Sequence, residues 1–277
     1  MSISTPSRLA HRGGPHGGTD PDEEPPQLDL AHTALFFDLD GTLAEIRDLP
    51  SEVSVPAQTI ALLGRLEQAL DGALAILSGR PGTDIDRLLH PLSLPYGANH
   101  GAERRGRSGA PHRVEPPAAL PEALRALRRR TAPWRGVLVE PKALGVAVHY
   151  RQAPARMRDV EAAVREVAAA YGPAFEVQPG KMVYELKPRG VDKGRALRAF
   201  MHEAPYAGRM PVMVGDDLTD ESAFAAAQAA GGFGIKIGPG PSTATLRLAG
   251  PQELARWLEA LCHGPPPSPE FPIKESP

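Results

Sequence analysis

Short apolar runs that end abruptly in polar residues recur along this chain, and amphipathic segments separate them. Residues 33–37, 73–77 and 211–214 are such runs, and each has a length typical of a buried strand. The segment from 56 to 70 instead carries its apolar residues at helical spacing. This alternation of strands and helices predicts an α/β fold with a mainly parallel sheet.

The pattern changes between about residue 104 and residue 187. Helices are predicted at 118–130 and 155–171, and strands near 136–140, 144–151, 175–178 and 182–186. We interpret residues 104–187 as a smaller α+β domain, inserted into a core made of residues 31–103 and 188–262. The flanking residues 1–30 and 263–277 are rich in proline and poor in apolar groups, which predicts disordered tails.

Composition limits the classes of function. The 277 residues include 31 Lys and Arg and 33 Asp and Glu, a formal net charge of -2, so there is no overall basic field for nucleic acid or an anionic membrane. The single cysteine, Cys262, excludes an intramolecular disulfide. No apolar run approaches the roughly 20 residues that span a bilayer, and no secretory signal is evident. We therefore expect a soluble, cytoplasmic protein.

Acidic pairs follow two of the predicted strands. Asp38 and Asp40 come directly after the first strand, and Asp216 and Asp217 follow the strand at 211–214. Carboxylates two residues apart in extended chain face the same side, where like charges raise each other's pKa unless a cation joins them. Mg²⁺ prefers oxygen ligands of this kind. The predicted metal ligands are Asp38, Asp40, Asp216 and Asp217, and the pattern leaves open which of Asp217, Asp220 and Glu221 acts directly at the metal.

Phosphoryl transfer is a reaction that would use these acidic residues together with hydroxyl and positively charged groups elsewhere in the chain. A phosphoester dianion needs hydrogen-bond donors and positive charge, and the predicted phosphate-binding residues are Thr42, Ser78, Gly79, Arg80 and Lys193. Asp38 would attack phosphorus to give an aspartyl-phosphate, and Asp40 would protonate the leaving alkoxide and later activate water. Lys187 competes with Lys193 for the role of the phosphate-binding lysine.

The motifs resemble those of a known superfamily. The strings 38–42 (DLDGT), 77–80 (LSGR) and 215–217 (GDD), together with Lys193, resemble the four motifs of the haloacid dehalogenase superfamily of phosphatases. The strings 100–103, 140–142, 149–151 and 215–221, with Gly180, Lys181 and Glu185, are more narrowly similar to trehalose-6-phosphate phosphatases. The resemblance implies a Rossmann-like core, a mobile type-two cap, Mg²⁺ dependence and hydrolysis of trehalose 6-phosphate.

The inserted domain would recognise the sugar, because carboxylates are good acceptors for hydroxyl groups. Glu140, Lys142 and Glu185 are the candidates that both this chemistry and the resemblance favour. His149, Arg151 and Lys181 would assist with the sugar or the phosphate. Alternatively, Glu140 and Glu185 form salt bridges with Lys142 or Lys181 within the inserted domain.

Other functions share the same core motifs. The chain could be a phosphatase for another sugar phosphate, such as sucrose phosphate or mannosylglycerate phosphate, or a sugar phosphomutase. A sugar-phosphate sensor without activity would not need both Asp38 and Asp40. The length leaves no room for a glycosyltransferase domain, so we expect a monomer whose substrate is made by a separate trehalose-phosphate synthase, with which it could be paired functionally.

Overall fold

Two β-sheets organise the chain, and the computed structural model describes residues 26–47, 52–107, 111–180 and 182–263. The strands are β1 (Thr33–Phe37), β2 (Leu74–Leu77), β3 (Tyr96–Ala98), β4 (Glu103–Arg105), β5 (His112–Arg113), β6 (Leu138–Pro141), β7 (Val146–His149), β8 (Phe175–Gly180), β9 (Val183–Pro188), β10 (Met210–Gly215), β11 (Phe233–Ile237) and β12 (Leu246–Leu248). The α-helices are α1 (Ala57–Ala69), α2 (Gly82–Leu89), α3 (Leu120–Thr131), α4 (Met157–Ala170), α5 (Lys193–Met201), α6 (Glu221–Ala229) and α7 (Pro251–His263).

The larger sheet has eight strands in the order β12-β11-β10-β1-β2-β3-β4-β5. The pairings from β12 through β3 are parallel, whereas β3 with β4 and β4 with β5 are antiparallel. Every residue of β1 and β2 is buried, as expected for parallel strands covered by helices. The predicted α/β class with a parallel core sheet is confirmed.

The larger sheet also holds the main hydrophobic core. Phe36 in β1 stacks on Tyr206 with ring centroids 5.5 Å apart and packs against Phe200 at 6.0 Å. The helices pack in pairs, α1 with α7 and α5 with α6. Because β10, β1 and β2 are adjacent and parallel, this core fixes their three carboxyl ends side by side at one edge of the sheet.

The smaller sheet is antiparallel, in the order β6-β7-β9-β8, and α3 and α4 pack on one of its faces. Val148 and Leu186 belong to the core beneath these helices. Since side chains alternate along a strand, their neighbours in sequence lie on the opposite face. There the strand register aligns one residue from each strand in a single row, namely Glu140, Ala147, Glu185 and Gln178.

The structure places part of the predicted insertion in the larger sheet. Strand β4 begins at Glu103 and continues past it, β5 follows, and these two strands pair with β3 and with each other. Arg105 donates two hydrogen bonds to Asp86, at 2.7 and 2.6 Å, and its guanidinium lies 4.3 Å from the centre of the Tyr96 ring. The helices and strands of the smaller unit begin only at Leu120. The larger sheet therefore continues past the predicted boundary.

The start of the described chain also differs from the predicted tail. Leu28 and Leu30 pack against the main core, and the Trp257 indole donates to the Pro26 carbonyl at 3.4 Å. This packing and this hydrogen bond anchor part of the segment that is predicted to be disordered from its proline-rich composition. The rest of that predicted tail, residues 1–25, and residues 264–277 lie outside the described part of the chain. None of the described helices combines the length and apolar character needed to cross a bilayer.

Leu35→Ala should lower the free energy of unfolding by about 2–5 kcal/mol, because it leaves a cavity at a fully buried position of β1. Leu138→Ala is the matched control, since this leucine also lies in a strand but is 63% exposed, and it should change stability by no more than about 0.5 kcal/mol. Urea denaturation of both variants measures the difference. Equal losses would contradict the assignment of β1 to the core.

Candidate active site

Three polar residues extend from the carboxyl ends of adjacent strands. Asp38 follows β1, Ser78 follows β2 and Asp216 follows β10. Main-chain hydrogen bonds continue the sheet into these positions, from Asp38 N to the Val214 carbonyl at 2.8 Å and from Ser78 N to the Gly97 carbonyl at 2.9 Å. The backbone of the candidate site is therefore an extension of the rigid core.

Lys193 joins two of the buried carboxylates. Its ammonium donates to Asp38 Oδ1 and to Asp220 Oδ1, both at 2.6 Å, and all three side chains are almost fully buried. Burial alone would lower the pKa of Lys193, but the charges of Asp38 and Asp220 outweigh it and hold that pKa above its ordinary value. The lysine is therefore a permanent cation at this site.

The N-terminus of α5 places Lys193. Asp192 caps this helix, accepting a 2.7 Å hydrogen bond from Arg195 N. The competing Lys187 points elsewhere, because it donates to the Val191 carbonyl at 2.8 Å and pairs with Glu176 at 3.1 Å. The structure thus brings Lys193, and not Lys187, into contact with Asp38.

Three carboxylates have a geometry suited to a metal ion. Oxygens of Asp38, Asp216 and Asp220 all lie within 4.8 Å of one another. Asp216 Oδ1 is buried without a hydrogen-bond partner among the described residues. Burial, followed by the charges of Asp220 and Asp217, raises the pKa of Asp216 to about 6. An unpartnered oxygen among like charges fits a hard divalent cation, which takes oxygen ligands and would hold Asp216 ionised.

The remaining predicted metal ligands do not join this cluster of described residues. Asp217 is the N-cap of a short 3-10 turn, where its amide donates to Asp220 Oδ2 at 2.9 Å. This capping box directs Asp220 into the site. Glu221 lies outside as well, because its carboxylate accepts hydrogen bonds from the Ser242 hydroxyl and from Thr243.

Lys236 is a buried residue of the site that sequence reasoning did not single out. It lies in β11 beside Gly215 and donates to the main-chain carbonyl of Asp216. A lysine in an otherwise apolar parallel strand is the signal that could have identified it. Its ammonium adds positive charge next to the carboxylate cluster.

Arg80 holds Asp40 through a bidentate ion pair. Its Nε and Nη2 atoms donate to the two Asp40 oxygens, both at 2.7 Å, and Asp84 lies 3.8 Å from the same guanidinium. The predicted phosphate-binding arginine therefore orients the predicted general acid in this structure.

Two hydroxyl groups lie in the loops that follow β1 and β2. Ser78 Oγ accepts a hydrogen bond from the Arg80 amide at 3.2 Å, which leaves its proton available to another acceptor. Thr42 Oγ1 is buried and has no hydrogen-bond partner in the described part of the chain. Buried hydroxyls without partners are rare in proteins, so Thr42 fits a role in binding an oxygen-rich ligand.

Three of the six predicted sugar-binding residues, Glu140, His149 and Glu185, lie in strands of the smaller sheet. Glu140 accepts from Lys142 at 2.6 Å and lies 2.8 Å from His149 Nε2, and the Lys142 ammonium lowers the pKa of Glu140. This is the predicted internal salt bridge. Arg151 and His149 line a separate cavity beside Leu138. Lys181 falls outside the described residues.

A cavity extends between the two sheets at Lys193. The larger sheet and its helices contribute His100, Asp192, Lys193, Leu218, Thr219 and Ser222, and β8 and β9 contribute Glu176, Val177, Gln178, Pro179 and Lys187. None of these β8 and β9 residues was among the predicted sugar-binding residues, and Lys187 was considered only as an alternative to Lys193. The alternation of Glu176 and Gln178 with Val177 in a predicted strand is the signal that could have found them.

Gly41→Ala should abolish high-affinity binding of a divalent cation. A Cβ atom at residue 41 would lie 2.1 Å from Asp216 Oδ2, so the carboxylate would have to move. Calorimetric titration with Mg²⁺ should show a loss of affinity of about 10-fold or more. Gly208→Ala is the matched control, because its φ of +78° resembles the +83° of Gly41 while no atom lies within 4 Å of the added carbon. Unchanged Mg²⁺ affinity in the Gly41 variant would exclude Asp216 as a ligand.

Comparisons with known proteins identify the family of this chain. The sequence model of the trehalose-phosphatase family matches residues 36–252. The chain is 44% identical over 244 residues to the trehalose-6-phosphate phosphatase of Escherichia coli K12, covering 88% of this chain and 91% of that protein. It is 41% identical over 211 residues to the probable trehalose-phosphate phosphatase of Sinorhizobium fredii, covering 76% and 80% of the two chains.

Solved structures share the architecture. A trehalose-6-phosphate phosphatase related protein superposes with a TM-score of 0.61 at 28% identity, covering 82% of this chain and 96% of its own. The C-terminal domain of the Candida albicans trehalose-6-phosphate phosphatase gives a TM-score of 0.69 at 20% identity, covering 88% and 99%, and supports the fold alone. The family match and the curated relatives show that this chain belongs to the trehalose-phosphatase family.

Proposed function

We propose that this chain is a Mg²⁺-dependent phosphatase that hydrolyses trehalose 6-phosphate to trehalose and inorganic phosphate. The observation that supports the proposal most is the contact of Asp38 with Lys193 beside Asp216, because the proposed nucleophile, a cation and a carboxylate suited to metal binding would then act at one point. The names of the relatives, which specify trehalose phosphate, support the substrate.

In the proposed reaction an Asp38 oxygen attacks phosphorus and the bond to the sugar oxygen breaks, giving an aspartyl-phosphate and the sugar alcohol. Asp40 in its protonated form donates a proton to the leaving oxygen, and the resulting carboxylate takes one from the water that hydrolyses the intermediate. The two hydrogen bonds from Arg80 hold this carboxylate form, which acts in the second step. The divalent ion, when bound, neutralises charge between the carboxylates and the phosphate.

The remaining core residues would bind the phosphate oxygens. Lys193 supplies a positive charge, and Ser78 and Thr42 supply hydroxyl donors from loops fixed by the sheet. Gly79 separates Ser78 from Arg80, and its lack of a Cβ atom leaves room for the His100 ring beside this loop. All of these groups come from the larger sheet and its helices, so the proposed chemistry would belong to this one unit.

Sugar recognition is proposed for the open face of the smaller sheet. Glu140 and Glu185 are two positions apart in the row across this sheet, with only Ala147 between them. Lys142 and His149 already hold the Glu140 carboxylate in place. Arg151 and Lys181 complete the proposed set. If the smaller sheet contacts the sugar, binding of the correct sugar would also close this unit over the site and exclude water from it.

Asp38→Asn should lower kcat for trehalose 6-phosphate by more than about 1,000-fold, because the amide cannot form the acyl phosphate. Phosphate release should be compared across trehalose 6-phosphate, sucrose 6-phosphate and glucose 6-phosphate, with and without Mg²⁺. The wild-type chain should prefer the first substrate and require the metal. Asp159→Asn, an exposed surface change, is the control. Normal turnover by the Asp38 variant would refute covalent catalysis by Asp38. A wild-type preference for another of the sugar phosphates would refute trehalose 6-phosphate as the substrate.

Glu185→Ala should raise KM for trehalose 6-phosphate by about 10-fold or more while changing KM for p-nitrophenyl phosphate by less than about 3-fold, because only the sugar uses this carboxylate. Glu140→Ala should behave in the same way. Glu166→Ala removes an exposed carboxylate of α4 and should affect neither substrate. Equal losses on both substrates would show that these two glutamates maintain the fold.

A further inference from the structure

His100 lies in a turn that is fastened to the loop after β2. The turn connects β3 to β4, and Asn99 and His100 both adopt left-handed backbone conformations, with φ of 49° and 58°. Such conformations are uncommon for residues other than glycine and often mark functional sites. Asn99 N donates to the Arg80 carbonyl and His100 N to the Ser78 carbonyl, both at 2.9 Å. The turn therefore moves with the proposed phosphate-binding loop.

The imidazole of His100 occupies space that Gly79 leaves open. A Cβ atom at residue 79 would lie 2.6 Å from both Cε1 and Nε2 of the ring. Any side chain at this position would therefore displace the imidazole. The glycine of the Ser78-Gly79-Arg80 loop has a steric role, which is to let the ring lie directly against that loop.

One nitrogen of this ring lacks a partner. His100 Nδ1 is buried, and it neither donates nor accepts a hydrogen bond within the described part of the chain. The ring lines the cavity that also contains Lys193 and Thr219 from the core and Gln178 from the smaller sheet. Burial, followed by the nearby charge of Lys193, lowers the pKa of His100 to about 4. The ring is therefore neutral near pH 7, with one nitrogen that donates and one that accepts.

We propose that His100 is a specificity-determining residue that hydrogen-bonds a hydroxyl of the sugar next to the phosphate. A hydroxyl both donates and accepts, as a neutral imidazole does, whereas a phosphate dianion only accepts and would have the donor Lys193, which contacts Asp38, as its partner. His100 thus supplies sugar recognition from the core itself, in addition to the smaller sheet. This inference rests on the proposed phosphatase function.

His100→Asn is the variant that tests it, because asparagine tolerates the left-handed backbone but is too short to replace the ring. Phosphate release from trehalose 6-phosphate and from p-nitrophenyl phosphate should be measured at saturating Mg²⁺. We expect kcat/KM to fall by about 10- to 100-fold for the sugar phosphate and by less than about 3-fold for the aryl phosphate. His112→Asn, an exposed histidine of β5, should change neither.

A second variant separates recognition from packing. His100→Gly keeps the left-handed backbone and leaves a ring-sized space, so added imidazole should restore part of the lost rate on trehalose 6-phosphate. Parallel losses on both substrates, no loss on either, or absence of rescue in the folded glycine variant would overturn the assignment. Failure of the wild-type chain to prefer trehalose 6-phosphate would instead count against the proposed function, whatever the His100 variants show.

Discussion

The buried ammonium of Lys193, held between Asp38 and Asp220, is the interaction on which the candidate site depends. Carboxylates removed from water are costly unless they are paired and hydrogen-bonded. Lys193 pairs with two of them, yet Asp216 is left with a buried oxygen that has no partner in the described residues. The negative charge of the cluster is therefore only partly balanced, and a divalent cation of the kind that the family implies would balance the rest.

Local structure explains how these groups reach one point. Parallel pairing of β10, β1 and β2 aligns the ends of three strands, and helix capping by Asp192 and Asp217 sets the directions of Lys193 and Asp220. Glycine at residue 41 lets Asp216 approach the loop after β1. The second sheet then presents the polar side chains of Glu176, Gln178 and Lys187 toward the cavity that Lys193 and His100 line from the core.

The sequence could predict the parts of this site that depend on local pattern. Asp38, Ser78 and Asp216 follow short apolar runs, and such runs identify buried strands. It could not choose between Asp217 and Asp220, because a 3-10 turn with a capping box determines which carboxylate points inward. Nor could it pair Arg104 with Glu203 or Arg105 with Asp86, because these partners lie 99 and 19 residues away along the chain. The position of Gln178 beside Glu185 likewise required the register of β8 with β9.

The most direct measurement is a crystal structure of the protein with Mg²⁺ and beryllium fluoride, a mimic of an acyl phosphate. The arrangement of charges predicts beryllium bonded to an Asp38 oxygen, a cation between Asp38 and Asp216, and the Lys193 ammonium within hydrogen-bonding distance of a fluorine. Beryllium fluoride bound away from Asp38, or a cation held by other residues, would contradict the role of this carboxylate cluster.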